Sequence, residues 1–215
     1  MEDLLAIKNL NIQARTREGV LNVVNDLSFS IKKGETLGVV GESGCGKSVT
    51  ALSVMNLLPE GVLSISSGDI IFDDVTITKL PENKLENIRG NEISMIFQEP
   101  MTSLNPLFTV GDQVSEVIKR HKGLNKDKSW AKAVELLDAV KIANPEKRAF
   151  DYPFQLSGGQ RQRVMIAVAL ACQPKILIAD EPTTALDVTI QAEILALINM
   201  LKEETGTAVM FITHD

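Results

Sequence analysis

Apolar residues follow two rhythms along this chain. The first is short and strand-like. "LLAIKNLNIQA" (4–14) and "NVVNDLSFSI" (22–31) carry residues suited to strands, and "KKGET" (32–36) is a turn signal between Ile31 and Leu37. "TLGVV" (36–40), "EISMIF" (92–97), "KILIAD" (175–180) and "AVMFI" (208–212) are brief apolar runs that predict buried strands, and "SSGDIIFDDVTIT" (66–78) predicts further strand, as a hairpin. The second rhythm is helical. It appears in "SVTALSVMNLL", which should stop at Pro59, and in "TVGDQVSEVIKRH", which spaces Val110, Val114, Val117 and Ile118. "DKSWAKAVELLDAV" does the same with Trp130, Val134 and Leu137. "VTIQAEILALINMLKEE" sets Ile190, Ile194, Leu197, Ile198 and Leu201 on one face. The pattern predicts an α/β protein with a β-rich start and a helical lobe inserted over about residues 99–160.

Composition narrows the function classes. Hydrophobic residues make up 44% and charged residues 23% of 215 positions, an ordinary globular balance. Net charge is -6, and no basic stripe offers a nucleic-acid backbone a grip; "KRHKG" (119–123) reads as solvated surface. Cys45 and Cys172 form neither a disulfide framework nor a C-x-x-C metal pair, which points to a reducing compartment. The acidic start "MEDLLAIKNL" is not expected to be a secretory signal. The longest apolar run, "VMIAVALAC" (164–172), is far short of the ~20 residues a bilayer crossing needs. Work on a membrane would therefore require a docked partner.

"GESGCGKS" (41–48) follows "TLGVV" directly. A strand, a glycine loop and a helix in that order form a phosphate cradle. Glycines let successive N–H groups converge on one anion. Gly41, Glu42, Ser43, Gly44, Cys45 and Gly46 would form the loop and Val49 its continuation into the helix; Lys47 would reach the β/γ-phosphates and Ser48 would ligand Mg²⁺. "ILIADE" ends a strand in two acids. Asp180 is placed to hold Mg²⁺ through water, and Glu181 to orient or deprotonate an attacking water. "LSGGQRQR" (156–163) opens a helix with Ser157, Gly158, Gly159 and Gln160, a second potential anion site; a plain serine N-cap accounts for the same residues.

"GESGCGKS", "LSGGQ", "ILIADEP", "TALD" and "ITHD", in this order, resemble an ATP-binding cassette. The resemblance covers essentially the whole chain. "NEISMIFQEPMTSLNPLFTVGDQ" and "YPFQLSGGQRQRVMIAVALACQPKILIADEPTTALDVTIQAEIL" look like the ATPase subunits of bacterial oligopeptide/dipeptide importers, a subfamily shared with nickel and glutathione importers. It implies a P-loop NTPase (RecA-like) core with an N-terminal antiparallel β lobe and the inserted helical lobe. It implies ATP and Mg²⁺ as cofactors and two cassettes stacked head to tail. On the resemblance, the second cassette would be either a copy of this chain or a sister chain. On the same resemblance two transmembrane permease subunits and, indirectly, an extracytoplasmic solute-binding protein would complete the machine, and the chain would work at the cytoplasmic face of the inner membrane. Residues 157–160 would then cap the γ-phosphate of the partner's ATP. Gln98 would touch Mg²⁺ or the attacking water and link to the membrane subunits. Glu181 would act on that water, His214 would contact the γ-phosphate, and Asp187 would sit at the dimer seam unless it is a plain N-cap.

Two departures from the family stand out. Relatives stack an aromatic residue on adenine, but none occurs between Leu10 and Leu27, where Glu18 or Val20 stands instead. Relatives also continue past the histidine matched by His214, whereas this chain ends at Asp215, so the dimer-supporting C-terminal part is expected to be missing here, by truncation or by nature. The competing reading is a soluble cassette ATPase of DNA repair, chromosome maintenance or translation. Such proteins carry a long coiled coil, zinc modules or two cassettes, and the interval from Lys47 to Leu156 has room for one helical lobe only. A non-hydrolysing structural subunit would have lost Lys47 or Glu181, and both are intact.

Overall fold

The computed structural model describes residues 3–98, 103–183 and 186–214. Its N-terminal third is an antiparallel sheet in the order β2-β1-β4-β5. Strands β1 (Asp3–Thr16) and β2 (Gly19–Lys32) form a long hairpin with several bulges. β4 (Leu63–Phe72) pairs with the other side of β1, and β5 (Val75–Thr76) turns back on β4. The two-residue connection Asp73-Asp74 has positive φ at both positions, 47° and 64°. That is the hairpin geometry whose twist matches its strands, and Asp tolerates it.

The second sheet is parallel. Its order is β3 (Thr36–Val40), β8 (Ala208–Thr213), β7 (Ile176–Asp180), β6 (Ile93–Ile96). Every residue of β6 and β7 is buried. Such strands are covered on both faces, which is why they read as unbroken apolar runs. Because all four are parallel, their carboxyl ends share one edge. The glycine loop follows β3, His214 follows β8, Asp180 and Glu181 stand at the end of β7, and Gln98 comes two residues after β6. This edge is where open α/β sheets bind ligands.

Helices α1 (Lys47–Val54) and α2 (Glu82–Ile88) belong to the sheet region. Between β6 and β7 come α3 (Val110–Lys122), α4 (Lys126–Ala139), α5 (Pro145–Arg148) and α6 (Gly158–Leu170); α7 (Val188–Thr205) precedes β8. Side-chain caps start four of them, α6 with Ser157 among them. Thr109 accepts from Asp112 N, Asn125 from Lys128 N and Asp187 from Ile190 N. Gly123 and Gly206, with φ of 63° and 69°, end α3 and α7. Val110, Val114 and Ile118 of α3 pack with Leu137 of α4 and with α6 and α7 in one core, while a second core fills the space between the sheets and α1. Phe97 packs against both cores and immediately precedes Gln98.

Two features differ from the sequence expectation. Helix α1 stops at Val54 rather than running to Pro59. Asn56 adopts φ 50°, and the Arg89 guanidinium takes the carbonyls of Met55 and Asn56 at 2.7 and 2.8 Å, so the helix end is satisfied early. Helices α2 and α5 leave no periodic signature. Each is at most seven residues, α2 buries only Leu85, and α5 buries none.

Candidate functional site

Gly46 is the N-cap of α1 and has φ 93°. A Cβ there would lie 3.0 Å from the Val23 carbonyl of β2, so only glycine brings the loop this close to the β lobe. The next residue, Lys47, is 8% exposed. Its Nζ donates to the carbonyls of Gly41 and Glu42 at 2.6 and 2.9 Å and lies 3.9 Å from Cys45 Sγ. The loop's own carbonyls thus hold the ammonium over the cradle. A cavity of about 160 Å³ opens there, lined by Ser43, Gly44, residues 46–49, Gln98 and Glu181, with Val23 as one wall. Larger hollows exist, among them ones of about 410 and 440 Å³ near Thr78 and between α2 and α3. Size does not choose between them: the smaller cavity is where backbone dipoles, a lysine and carboxylates converge.

Asp180 is 4% exposed and accepts from the Ser48 hydroxyl at 3.1 Å. Burial pushes its carboxyl up from the ordinary carboxylate value. The Glu181 charge adds to that rise, while the Ser48 hydrogen bond and the Lys47 ammonium oppose it. A hydroxyl beside a buried carboxylate is a hard oxygen pair suited to Mg²⁺. Among the described residues no group of three His, Cys, Asp or Glu forms a protein-only cage. The Ser48–Asp180 oxygens would leave a bound Mg²⁺ positions for phosphate and water.

Glu181 has φ 45°, uncommon for a residue with a side chain. Its N–H donates to the Ile212 carbonyl of β8 at 3.0 Å. Its Oε2 accepts from Gln98 Nε2 at 3.2 Å and lies 3.1 Å from His214 Nδ1. Three residues predicted from separate motifs thus meet at one oxygen.

Ser157, Gly158, Gly159 and Gln160 stand apart from this cluster and do not line its cavity. They form a capping box. Ser157 Oγ accepts from Gln160 N at 3.3 Å, and Gln160 Oε1 accepts from Ser157 N at 3.0 Å. A Cβ on Gly159 would lie 3.0 Å from Ile190 Cγ2, so glycine lets α6 approach α7. Asp187 serves as the N-cap of α7; Thr184 and Ala185 of "TALD" lie outside the described residues. Glu18 and Val20 sit exposed at the β1–β2 hairpin, Val20 opposite Arg15. Sequence reasoning missed Val23 and Gln162. The Gln162 amide is 2% exposed and donates to the Pro182 carbonyl at 2.6 Å, immediately after Glu181. Neither residue carries a spacing signal, because each depends on how distant elements pack.

A parallel sheet with a glycine–lysine loop after one strand and a buried carboxylate ending another defines a phosphate-loop α/β protein. The ABC transporter family matches residues 24–184, and the chain belongs to that family. It is 53% identical over 215 residues to the oligopeptide transport ATP-binding protein OppD of Haemophilus influenzae, covering 100% of this chain and 66% of that one. It is 49% identical to the dipeptide transport ATP-binding protein DppD of Bacillus subtilis, covering 100% of this chain and 64% of that one. The chain thus spans just under two thirds of these relatives' lengths. A solved dimer of the ATP-binding cassette MJ0796, in a post-hydrolysis state with ADP and phosphate, superposes with a TM-score of 0.86 at 32% identity. That match covers 98% of this chain and 88% of the cassette.

Proposed function

We propose that this chain is the ATP-binding and ATP-hydrolysing part of an importer that takes up oligopeptides or dipeptides through separate membrane subunits. The observation that carries the reading is the meeting of Lys47, Ser48, Asp180, Glu181, Gln98 and His214 at one sheet edge. In this reading Gly41, Glu42, Ser43, Gly44, Cys45, Gly46 and Val49 cradle the phosphates and Lys47 neutralises them. Ser48 and Asp180, with Gln98 nearby, hold Mg²⁺, which supplies charge neutralisation on the phosphates when bound. Glu181 takes the proton of the attacking water. Gln98 and His214 hold the Glu181 carboxylate and sense the γ-phosphate side of the cavity. Ser157, Gly158, Gly159 and Gln160 serve the nucleotide of a second cassette, which explains a helix N-terminus separate from the chain's own cradle.

The names of the relatives support the peptide class. The whole chain acts as one cassette domain whose helical lobe spans about residues 99–160. Among the described residues no helix is long and apolar enough to cross a membrane, in keeping with a peripheral subunit on the inner face of the membrane. Leu107, Phe108, Phe150 and Phe154 are more than half exposed, and their loops are joined by the hydrogen bond from Val110 N to Asp151 O at 2.9 Å. We assign this apolar patch to the two permease subunits. The test is co-purification with membrane subunits followed by phosphate release with and without peptide-loaded binding protein. Stimulation by peptide is expected; stimulation by nickel or glutathione alone would overturn the substrate class.

A further inference from the structure

Gln162 lies just past the capping box of α6, on a different side of the helix from Gln160. Gln160 is spent on the helix start, whereas Gln162 is turned inward at 2% exposure. A buried amide needs partners, and an apolar side chain would fill the same space without that demand. Its partner is specific: Nε2 donates to the carbonyl of Pro182 at 2.6 Å. Proline has no N–H, so this carbonyl is its whole main-chain polar capacity.

Pro182 follows Glu181, whose left-handed φ of 45° persists only where its surroundings hold it. On one side the Glu181 N–H is tied to Ile212 of β8. On the other, the chain is tied by Gln162. Beyond that, Gln191 Nε2 of α7 donates to the carbonyls of Thr183 and Leu186 at 3.0 and 3.2 Å, and Gly159 lets α6 close on Ile190. The loop carrying Glu181 is therefore gripped by α6 and α7 as well as by the sheet.

We infer that Gln162 is a positioning residue for Glu181: it fixes the Pro182 carbonyl, keeps the Glu181 carboxylate aimed at the Lys47 cavity, and ties that aim to the helix that Ser157 begins. Gln162 is five residues past the N-cap, about 8 Å along the helix axis. A displacement of the α6 N-terminus thus reaches the same chain's general base directly. The inference rests on the hydrolase reading of Glu181 given above.

The experiment compares wild type with Gln162→Met, which keeps the length but has no donor, and Gln162→Glu. Melting temperature, Mg-ATP affinity, kcat and hydrogen exchange at the Glu181 amide are measured, kcat at protein concentrations that saturate turnover. Gln162→Met should bind Mg-ATP within about twofold of wild type yet lose kcat by about 10²-fold, as a misplaced catalytic group does. Exchange at the Glu181 amide should speed up by about tenfold or more. Gln162→Glu should recover turnover relative to wild type as pH falls, because a protonated carboxyl can donate to Pro182 and an ionised one cannot; the Gln162→Met deficit should not change with pH. Unaltered Glu181 exchange in Gln162→Met overturns the inference. So does a joint loss of melting temperature and ATP affinity in both variants without rescue at low pH, which would mark Gln162 as packing. If wild type itself shows no turnover, the hydrolase reading fails, and the exchange measurement still decides the positioning claim.

Discussion

The Ser48 hydroxyl and the Asp180 carboxylate meet at 3.1 Å although 132 positions separate them. One begins the helix after β3 and the other ends β7, two strands that flank β8. The pair places a hydroxyl and an anion where a hard cation would sit. Asp180→Asn should therefore raise the Mg²⁺ concentration needed for half-maximal ATP binding by at least about tenfold, the worth of one charge-assisted contact. Titrating Mg²⁺ against a fluorescent ATP analogue reads this. An unchanged midpoint would place the cation elsewhere.

Lys47 is held by two carbonyls of its own loop and is nearly buried. A phosphate would offer that ammonium a full negative charge in place of neutral carbonyls. Lys47→Ala should nearly abolish ATP binding, since only the N–H dipoles of the loop remain. Equilibrium binding of labelled ATP that matches wild type would sink the cradle assignment.

Much of this edge was legible in the sequence, for physical reasons. A strand buried on both faces must be apolar throughout, so "KILIAD" announces β7 and marks Asp180 as its end. Capping leaves local signatures, as in Thr109 with Asp112 and Ser157 with Gln160. The resemblance, not spacing, points to Gln98 and His214; their contacts with the Glu181 carboxylate come from the structure. What stayed hidden depends on packing between distant segments. Gln162 reaches Pro182 only because α6 lies against the end of β7, and Arg89 ends α1 from across the fold. Helix α2 buries one residue in seven and has no periodicity to read.

Cys45 is exposed inside the loop, and its Sγ would lie 2.8 Å from a Cβ built on Gly41. An adduct on that thiol would sit within the loop that is to close on phosphate. Cys172 is 1% exposed, and burial pushes its thiol up. A bulky maleimide should therefore react at Cys45 and block hydrolysis, and Mg-ATP should protect. Cys45→Ser should be insensitive; equal inhibition of that variant would move the effect to another residue. Peptide mass mapping identifies the modified thiol.

His121 lies in the groove between α2 and α3, faced by Glu82 and Glu86 of α2, by Arg89 just past its end, and by Glu116 and Arg120 of its own helix. Burial lowers its pKa, and the charges of Arg120 and Lys122 lower it further. The folded state therefore resists the proton that the unfolded state accepts. Stability from this group is complete above the ordinary value of 6.5 and is lost as pH falls from there toward the lowered folded value. The melting temperature of wild type should drop more between neutral pH and mildly acidic pH than that of His121→Gln. Parallel melting curves for the two proteins across that window would exclude the effect.

Glu181→Gln separates binding from chemistry. The amide retains a carbonyl oxygen that can accept from Gln98 Nε2, as Glu181 Oε2 now does at 3.2 Å. It cannot take a proton from water, so hydrolysis should fall by at least about 10²-fold, the usual worth of one general base. Mg-ATP binding should survive, because Lys47, Ser48 and Asp180 are untouched. Removing a negative charge beside the γ-phosphate should favour the ATP-bound state further. With a partner cassette present, that state should be a closed pair in which each cradle faces the other chain's α6 N-terminus. The variant should accumulate as an ATP-dependent dimer that separates when Mg²⁺ is chelated or ATP is washed out. Light scattering after size exclusion, with and without ATP, reads the dimer, and a phosphate-release assay reads the chemistry. Near-normal release would show that another group serves as base, and His214, whose Nδ1 stands 3.1 Å from the Glu181 carboxylate, is the next candidate. Loss of ATP binding together with the dimer would instead assign Glu181 to holding the fold at the end of β7.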